Sequence, residues 1–306
     1  MSSVLLHVGL PKTGSTLLQK WFALHPELVF LAGQEGGPGS TRQVCAFAVR
    51  GEAPRPKWYV VSDENLAVAW PSGPNLMHLD SRLVSYEANL ARSQARVCDM
   101  LHQAFPGARV LLVTRGYRSY VLSAYSEYVK NGGPLDFAGG LQTFGAQGRL
   151  WLDYDHVIGV YTAAFGADNV LVLPYELLRD DAPDFLRRVE TWLGLSHFEA
   201  DLGRVNPALT PQELYWYPKV SRLVAAVTFK VRALARTGLV HAYVRRGIRD
   251  GALRPMVRTL GWFGDRQVRA DDCPSEYLAF FRGKGRRLLD SPAHAAYAAE
   301  YFLDES

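Results

Sequence analysis

Cysteine is scarce. Cys45, Cys98 and Cys273 stand far apart in 306 residues. So small and odd a set excludes a disulfide framework, shows no zinc-ligand spacing, and suits a reducing compartment. Long hydrophobic runs are missing as well: no stretch approaches the ~18 apolar residues of a membrane span. The opening Met-Ser-Ser-Val-Leu-Leu-His-Val-Gly has neither a basic start nor a long apolar centre. No signal peptide is expected, and the chain is assigned to the cytoplasm. Charged residues make up 21% and hydrophobic residues 48% of the chain. That balance excludes a disordered polymer. Periodic glycines and sustained heptads are absent, which excludes collagen and coiled coil.

The charge that is present is unevenly placed. Residues 219–258 hold ten lysines and arginines against a single acid, Asp250, in a chain whose total is +4. This segment favours an anionic partner: a phosphate-rich ligand, an acidic glycan or a membrane face. A solvated helix surface is the plainer reading. No nucleic acid is expected as a partner.

Apolar runs of four to six residues alternate with helical patterns. Val4–Val8, Trp58–Ser62, Arg109–Thr114 and Asn169–Leu173 read as buried strands. Ser15–Leu24, Leu79–Phe105, Tyr117–Lys130, Asp153–Phe165 and Pro183–Leu193 read as helices. The last has proline in its first turn and Gly194 just past its end. Gly33–Gly39 reads as a loop. The expected class is α/β, a central, mostly parallel sheet flanked by helices. One domain spans 1–306, with 205–270 as a basic helical appendage.

Two strand ends carry candidate chemistry. The first is His7-Val8-Gly9-Leu10-Pro11-Lys12-Thr13-Gly14-Ser15-Thr16. A strand, a tight glycine loop and a helix start form an anion cradle, because unpaired N–H groups and the helix dipole face the loop. Ser15 and Thr16 add hydroxyls, and Lys12 adds a full charge. The nucleoside-triphosphate spacing G-x-x-x-x-G-K-[ST] fails, since the lysine precedes Gly14 by two positions. The second strand end carries Arg115, with Ser123 eight residues on. A guanidinium and a hydroxyl so placed can converge on one phosphate.

Pro-Lys-Thr-Gly-Ser-Thr resembles the 5′-phosphosulfate loop of sulfotransferases that use 3′-phosphoadenylyl sulfate (PAPS). The Arg115 and Ser123 pair is similar to that family's 3′-phosphate site. Asp168–Leu178 and Trp192–Leu195 resemble its late strand and following helix, and 123–132 is similar to bacterial members associated with surface polysaccharides. A weaker likeness returns at Arg282–Leu289. The resemblance implies a P-loop-like sulfotransferase fold. It implies PAPS as donor, adenosine 3′,5′-bisphosphate as product, no metal, and a carbohydrate or glycolipid acceptor sulfated at a hydroxyl or an amine. Pro11, Lys12, Thr13, Gly14, Ser15, Thr16, Arg115 and Ser123 are the expected donor-binding residues.

Sulfuryl transfer, like phosphoryl transfer, is mainly positioning and charge stabilisation. Lys12 is the expected stabiliser of the leaving phosphate. Relatives supply a base after the second strand, where Ser62-Asp63-Glu64-Asn65 stands. Glu64 is the first candidate and Asp63 the second. His7, on the apolar first strand, reads as a core histidine. Tyr154-Asp155 and Tyr175-Glu176 read as residues that hold loops together. Each assignment has a structural rival: Lys12 as a turn lysine, Arg115 as an ion-pair partner, Ser123 as an ordinary helix serine, Glu64 as an acid attracted to a helix N-terminus. Two other functions fit parts of the pattern: a kinase-like enzyme using Mg-ATP, and a non-catalytic adaptor that keeps the nucleotide fold. The basic segment allows peripheral contact with an anionic membrane on its inner face.

Overall fold

The computed structural model describes residues 3–10, 12–31, 57–63, 66, 86–142, 152–203, 208–230, 238–261 and 266–302. In chain order the main elements begin with β1 (Ser3–Gly9), α1 (Ser15–Leu24), β2 (Leu28–Phe30) and β3 (Trp58–Asp63). Then come α2 (Tyr86–Ala104), β4 (Arg109–Thr114), α3 (Tyr117–Lys130), α4 (Tyr154–Phe165) and β5 (Val170–Pro174). The chain continues through α5 (Tyr175–Asp180), α6 (Ala182–Leu193), α7 (Pro211–Lys230) and α8 (Arg254–Gly261). The chain divides into two compact units. The first comprises 1–116, 150–205 and 282–306; the second comprises 117–149 and 206–281.

The first unit is built on a five-stranded sheet in the order β2-β3-β1-β4-β5, parallel throughout. The fold is α/β. Parallel strands joined by crossovers must be covered on both faces, so they read as continuous apolar runs. Leu5, Val60, Leu111, Val113 and Leu173 form one core with Leu18, Trp21 and Phe22 of α1 and Phe185, Val189 and Leu193 of α6. Strand alternation sends Leu6, Val8, Val61, Val110 and Leu112 to the other face, where they are also buried. There α4 packs on β4 and β5, and α2 packs on α4.

Helix boundaries follow local chemistry. Asp181 caps α6 by accepting from the Asp184 N–H at 3.0 Å. At its far end Gly194 turns left-handed (φ 67°), and the Leu195 N–H reaches back to the Glu190 carbonyl at 2.8 Å. That is the six-to-one closure of a Schellman end. Asp153 caps α4 by accepting from the His156 N–H.

The second unit is helical among its described residues. It comprises α3, α7, α8 and short helical turns. Gly132, with φ 83°, ends α3. The basic stretch 219–258 belongs to this unit, together with α3 and the chain that follows it.

Candidate active site

The strand order fixes where a ligand can sit. From β1 the chain moves to β2 and β3 on one side, whereas from β4 it proceeds to β5 on the other. Connections leaving β1 and β4 therefore diverge, and the crevice at their carboxyl ends is the switch point where open α/β sheets bind ligands. Gly9 is in register with Val113 and Thr114 with Pro174, so Lys12 and Arg115 follow adjacent strand ends. The two sequence motifs of the first unit meet there: an Arg115 guanidinium N–H donates to the Lys12 carbonyl at 2.5 Å.

The loop is held in an unusual shape. Lys12 has φ 67° and Gly14 has φ 82°, both left-handed. For lysine that conformation costs of order 1 kcal/mol, and such strain gathers at ligand clamps. At Gly14 a Cβ would lie 2.9 Å from Leu178 Cδ2 of α5 and 3.1 Å from the Tyr175 ring, so glycine is required. The Thr13 hydroxyl donates to the Leu10 carbonyl at 2.7 Å, closing the loop on itself. Thr13 thus shapes the cradle with its side chain.

α1 begins directly at Ser15, and Gly14 offers no side-chain cap. The Leu17 and Leu18 N–H groups reach the Gly14 carbonyl. The earlier N–H groups of the first turn have no intrahelical acceptor, as at any helix start. No acidic side chain occupies that turn. The Ser15 hydroxyl is buried and has no hydrogen-bond partner among the described residues. Buried hydroxyls are normally paired; this one has an open valence at a positive helix end. Thr16 is exposed beside it, and Lys12 is half-buried.

Arg115 is fixed from several sides. Its guanidinium lies 4.4 Å from the Tyr175 ring centre. Its backbone N–H donates to the Tyr154 hydroxyl at 3.0 Å, and that hydroxyl donates to the Arg115 carbonyl at 2.5 Å. Burial lowers the Arg115 pKa from its ordinary value, with Tyr175 and Glu176 pulling the other way. The buried Glu176 accepts from the Gly116 N–H at 3.1 Å and from the Tyr301 hydroxyl at 2.9 Å. Thr114, buried at the end of β4, bonds to Tyr301 and to His294 Nε2. Sequence reading took Tyr154 and Tyr175-Glu176 as loop-holding residues, and these contacts give them that work. It missed Thr114, His294 and Tyr301. The one legible signal was the Tyr-Glu pair directly after a strand end.

The remaining candidates sit as follows. His7 is fully buried in β1, bonds Ser62 through Nδ1 at 2.6 Å, and meets the edge of Phe22. Burial lowers its pKa to about 4. It is a neutral core histidine. Asp63 ends β3 in register with Val8 and is half-buried. Ser123 is half-buried on α3 in the second unit. Pro11 and Glu64 lie outside the described residues, as do Cys45, the loop at 33–39 and the start of the helix expected from Leu79.

A parallel sheet whose switch point carries a glycine loop and an open helix start defines an α/β protein with a site suited to an anion. The chain belongs to the sulfotransferase family, whose family model matches residues 5–200, and sulfuryl transfer is its reaction class. A sulfotransferase from Alicyclobacillus acidocaldarius is similar in structure, with 17% identity and a TM-score of 0.49, over 74% of this chain and 96% of that one. A mouse sulfotransferase complexed with PAP is similar over 72% of this chain and 63% of that one, with 15% identity and a TM-score of 0.38. No curated protein matches the chain by sequence.

Proposed function

We propose that the chain transfers a sulfuryl group from PAPS to a hydroxyl or amine of a carbohydrate or glycolipid. The observation that carries the donor is the buried, unpartnered Ser15 hydroxyl at the α1 start, beside left-handed Lys12 and Gly14. A donor with a charged 5′-phosphosulfate fits that cradle, because it offers acceptor oxygens to every donor gathered there. When bound, PAPS supplies the activated sulfuryl group. The N–H groups of residues 13–16 and the Ser15 hydroxyl hold its 5′ end. The Thr16 hydroxyl adds a bond. Lys12 places its ammonium where negative charge grows on the leaving phosphate.

The 3′-phosphate reading for Arg115 and Ser123 rests on their spacing in sequence. In addition, Arg115 braces the Lys12 carbonyl. Asp63 or Glu64 takes the acceptor proton. An ordinary carboxylate, with a pKa near ~4.3, needs a desolvated site to act as an efficient base. The carbohydrate or glycolipid acceptor rests on the sequence likeness of 123–132 to bacterial members associated with surface polysaccharides.

Calorimetric titration with adenosine 3′,5′-bisphosphate, beside Mg-ATP, tests the donor. Tighter binding of the bisphosphate is expected. Preference for Mg-ATP, or binding of neither, overturns the reading. Transfer of labelled sulfate from PAPS across carbohydrate, glycolipid and phenolic acceptors then tests the acceptor class, and turnover confined to phenols overturns it.

A further inference from the structure

The second unit carries a surface that sulfuryl transfer does not explain. Its large apolar side chains are open to solvent: Leu223 is 65% exposed, Val240 47%, Val227 41% and Leu239 40%. Among the described residues, only two other large apolar side chains, Leu24 and Leu289, are as open. Leu223 and Val227 are one turn apart on α7, so they share a face. The next residues on that helix, Val224 and Thr228, line a groove of about 350 Å³ whose other wall includes Val240 and Tyr243. Both sets of exposed apolar groups therefore border one concavity. Its polar floor is tied up internally, since the Ser221 and Tyr243 hydroxyls bond each other at 2.8 Å.

The charge of residues 219–258 around this patch is predominantly positive, with Glu127 against Arg249 as a local exception. Lys219 and Arg222 precede Leu223 on α7 and are exposed. Arg245 and Arg246 follow the Leu239–Ala242 turn and are exposed, with no carboxylate partner among the described residues. Asp250 is the one acid in 219–258.

We infer that this face docks on an anionic lipid bilayer. A bilayer surface offers both features the patch requires: negative headgroups for the arginines and a hydrocarbon boundary for the leucine and valines. A second copy of the chain fits poorly, because a two-fold contact through this face would press two surfaces of the same predominantly positive charge together. A soluble acidic glycan would satisfy the arginines and leave Leu223 and Val240 in water. Binding strength scales with inserted apolar area plus charge attraction, and salt screens the second contribution only.

Co-sedimentation of the whole chain with phosphatidylcholine vesicles, with and without phosphatidylglycerol, tests the assignment at low and at ~0.15 M salt. Binding only when phosphatidylglycerol is present, weakened but retained at the higher salt, is expected. The double variants Leu223→Glu/Val227→Glu and Arg245→Glu/Arg246→Glu each alter exposed side chains and should keep the wild-type thermal melt. Each should lose at least about tenfold in vesicle affinity. No binding to anionic vesicles in either buffer overturns the inference. So does equal binding by the wild type and both variants, or tight heparin binding with indifference to vesicles. The readout is independent of the donor and stands or falls apart from the proposed reaction.

Discussion

Ser15 separates a ligand-holding role from a structural one. Its hydroxyl is buried and has no partner among the described residues. Removing a buried hydroxyl that bonds nothing releases a desolvation penalty, whereas removing one that bonds a charged ligand forfeits about 1.5–3 kcal/mol. Ser15→Ala should therefore leave the urea midpoint unchanged or raise it, and weaken adenosine 3′,5′-bisphosphate binding roughly 10- to 100-fold. A loss of stability with unchanged affinity would assign Ser15 to the fold. Thr13 is the instructive contrast two residues earlier. Its hydroxyl is committed to the Leu10 carbonyl, so of these two buried hydroxyls only that of Ser15 is left open to a ligand. Lys12 shows what a sequence hides: no propensity marks its left-handed φ of 67°. Arg115, 103 positions away in sequence, donates to the carbonyl of that residue.

At the scale of elements, β1, α1, β4 and α3 were legible to the residue or nearly so, because a short apolar run against a helical period is the strongest local signal. β2 was not. Leu28–Phe30 is a three-residue edge strand, paired on one side with β3, and three residues carry no readable period. α5 was missed as well: the strand reading stops at Leu173 before Pro174, and the six residues that follow are too few to show a helical period. The larger omission was the C-terminal segment, whose short turns at Pro292–Ala295 and Ala298–Tyr301 have no amphipathic pattern to find. Yet that segment fastens the end of β4. A Cβ on Gly116 would lie 2.5 Å from Glu300 Cβ, and Tyr301 joins Thr114 to Glu176. Tyr301→Phe keeps the ring and removes the donor that faces a fully buried carboxylate. It should cost about 1–3 kcal/mol in urea unfolding. It should also lower bisphosphate affinity, since Glu176 fixes the Gly116 N–H beside Arg115. A wild-type midpoint for this variant would show that the segment is a passive cover.

For the molecule as a whole, the reading that a sequence supports best is the one that needs least tertiary information. The parallel α/β class and two loops at strand carboxyl ends follow from the succession of strands and helices, but the strand order that sets those loops side by side, and bracing between residues over a hundred positions apart, do not. The same burial that hides such contacts from sequence sets the acid response of the fold. His7 and His294 are both fully buried, and burial lowers each pKa to about 4. His25 moves in the same direction, chiefly through burial. In the unfolded chain these imidazoles take protons near pH ~6.5. Between about pH 6.5 and 4 the unfolded state thus binds more protons than the folded one, and stability must fall as pH falls through that window. From pH 7 to pH 5 each of His7 and His294 should contribute a loss of roughly 2 kcal/mol in unfolding free energy. The carboxylates whose pKa is lowered, Glu27 and Asp180, respond at the acid end of that range and below it. Urea titrations at half-unit steps measure the slope. His294→Asn should remove about half of what the two histidines contribute, because His7 remains in β1 as the other buried imidazole. A slope that is flat above pH 5 in the wild-type chain would mean that His7 and His294 are hydrated enough to charge in place.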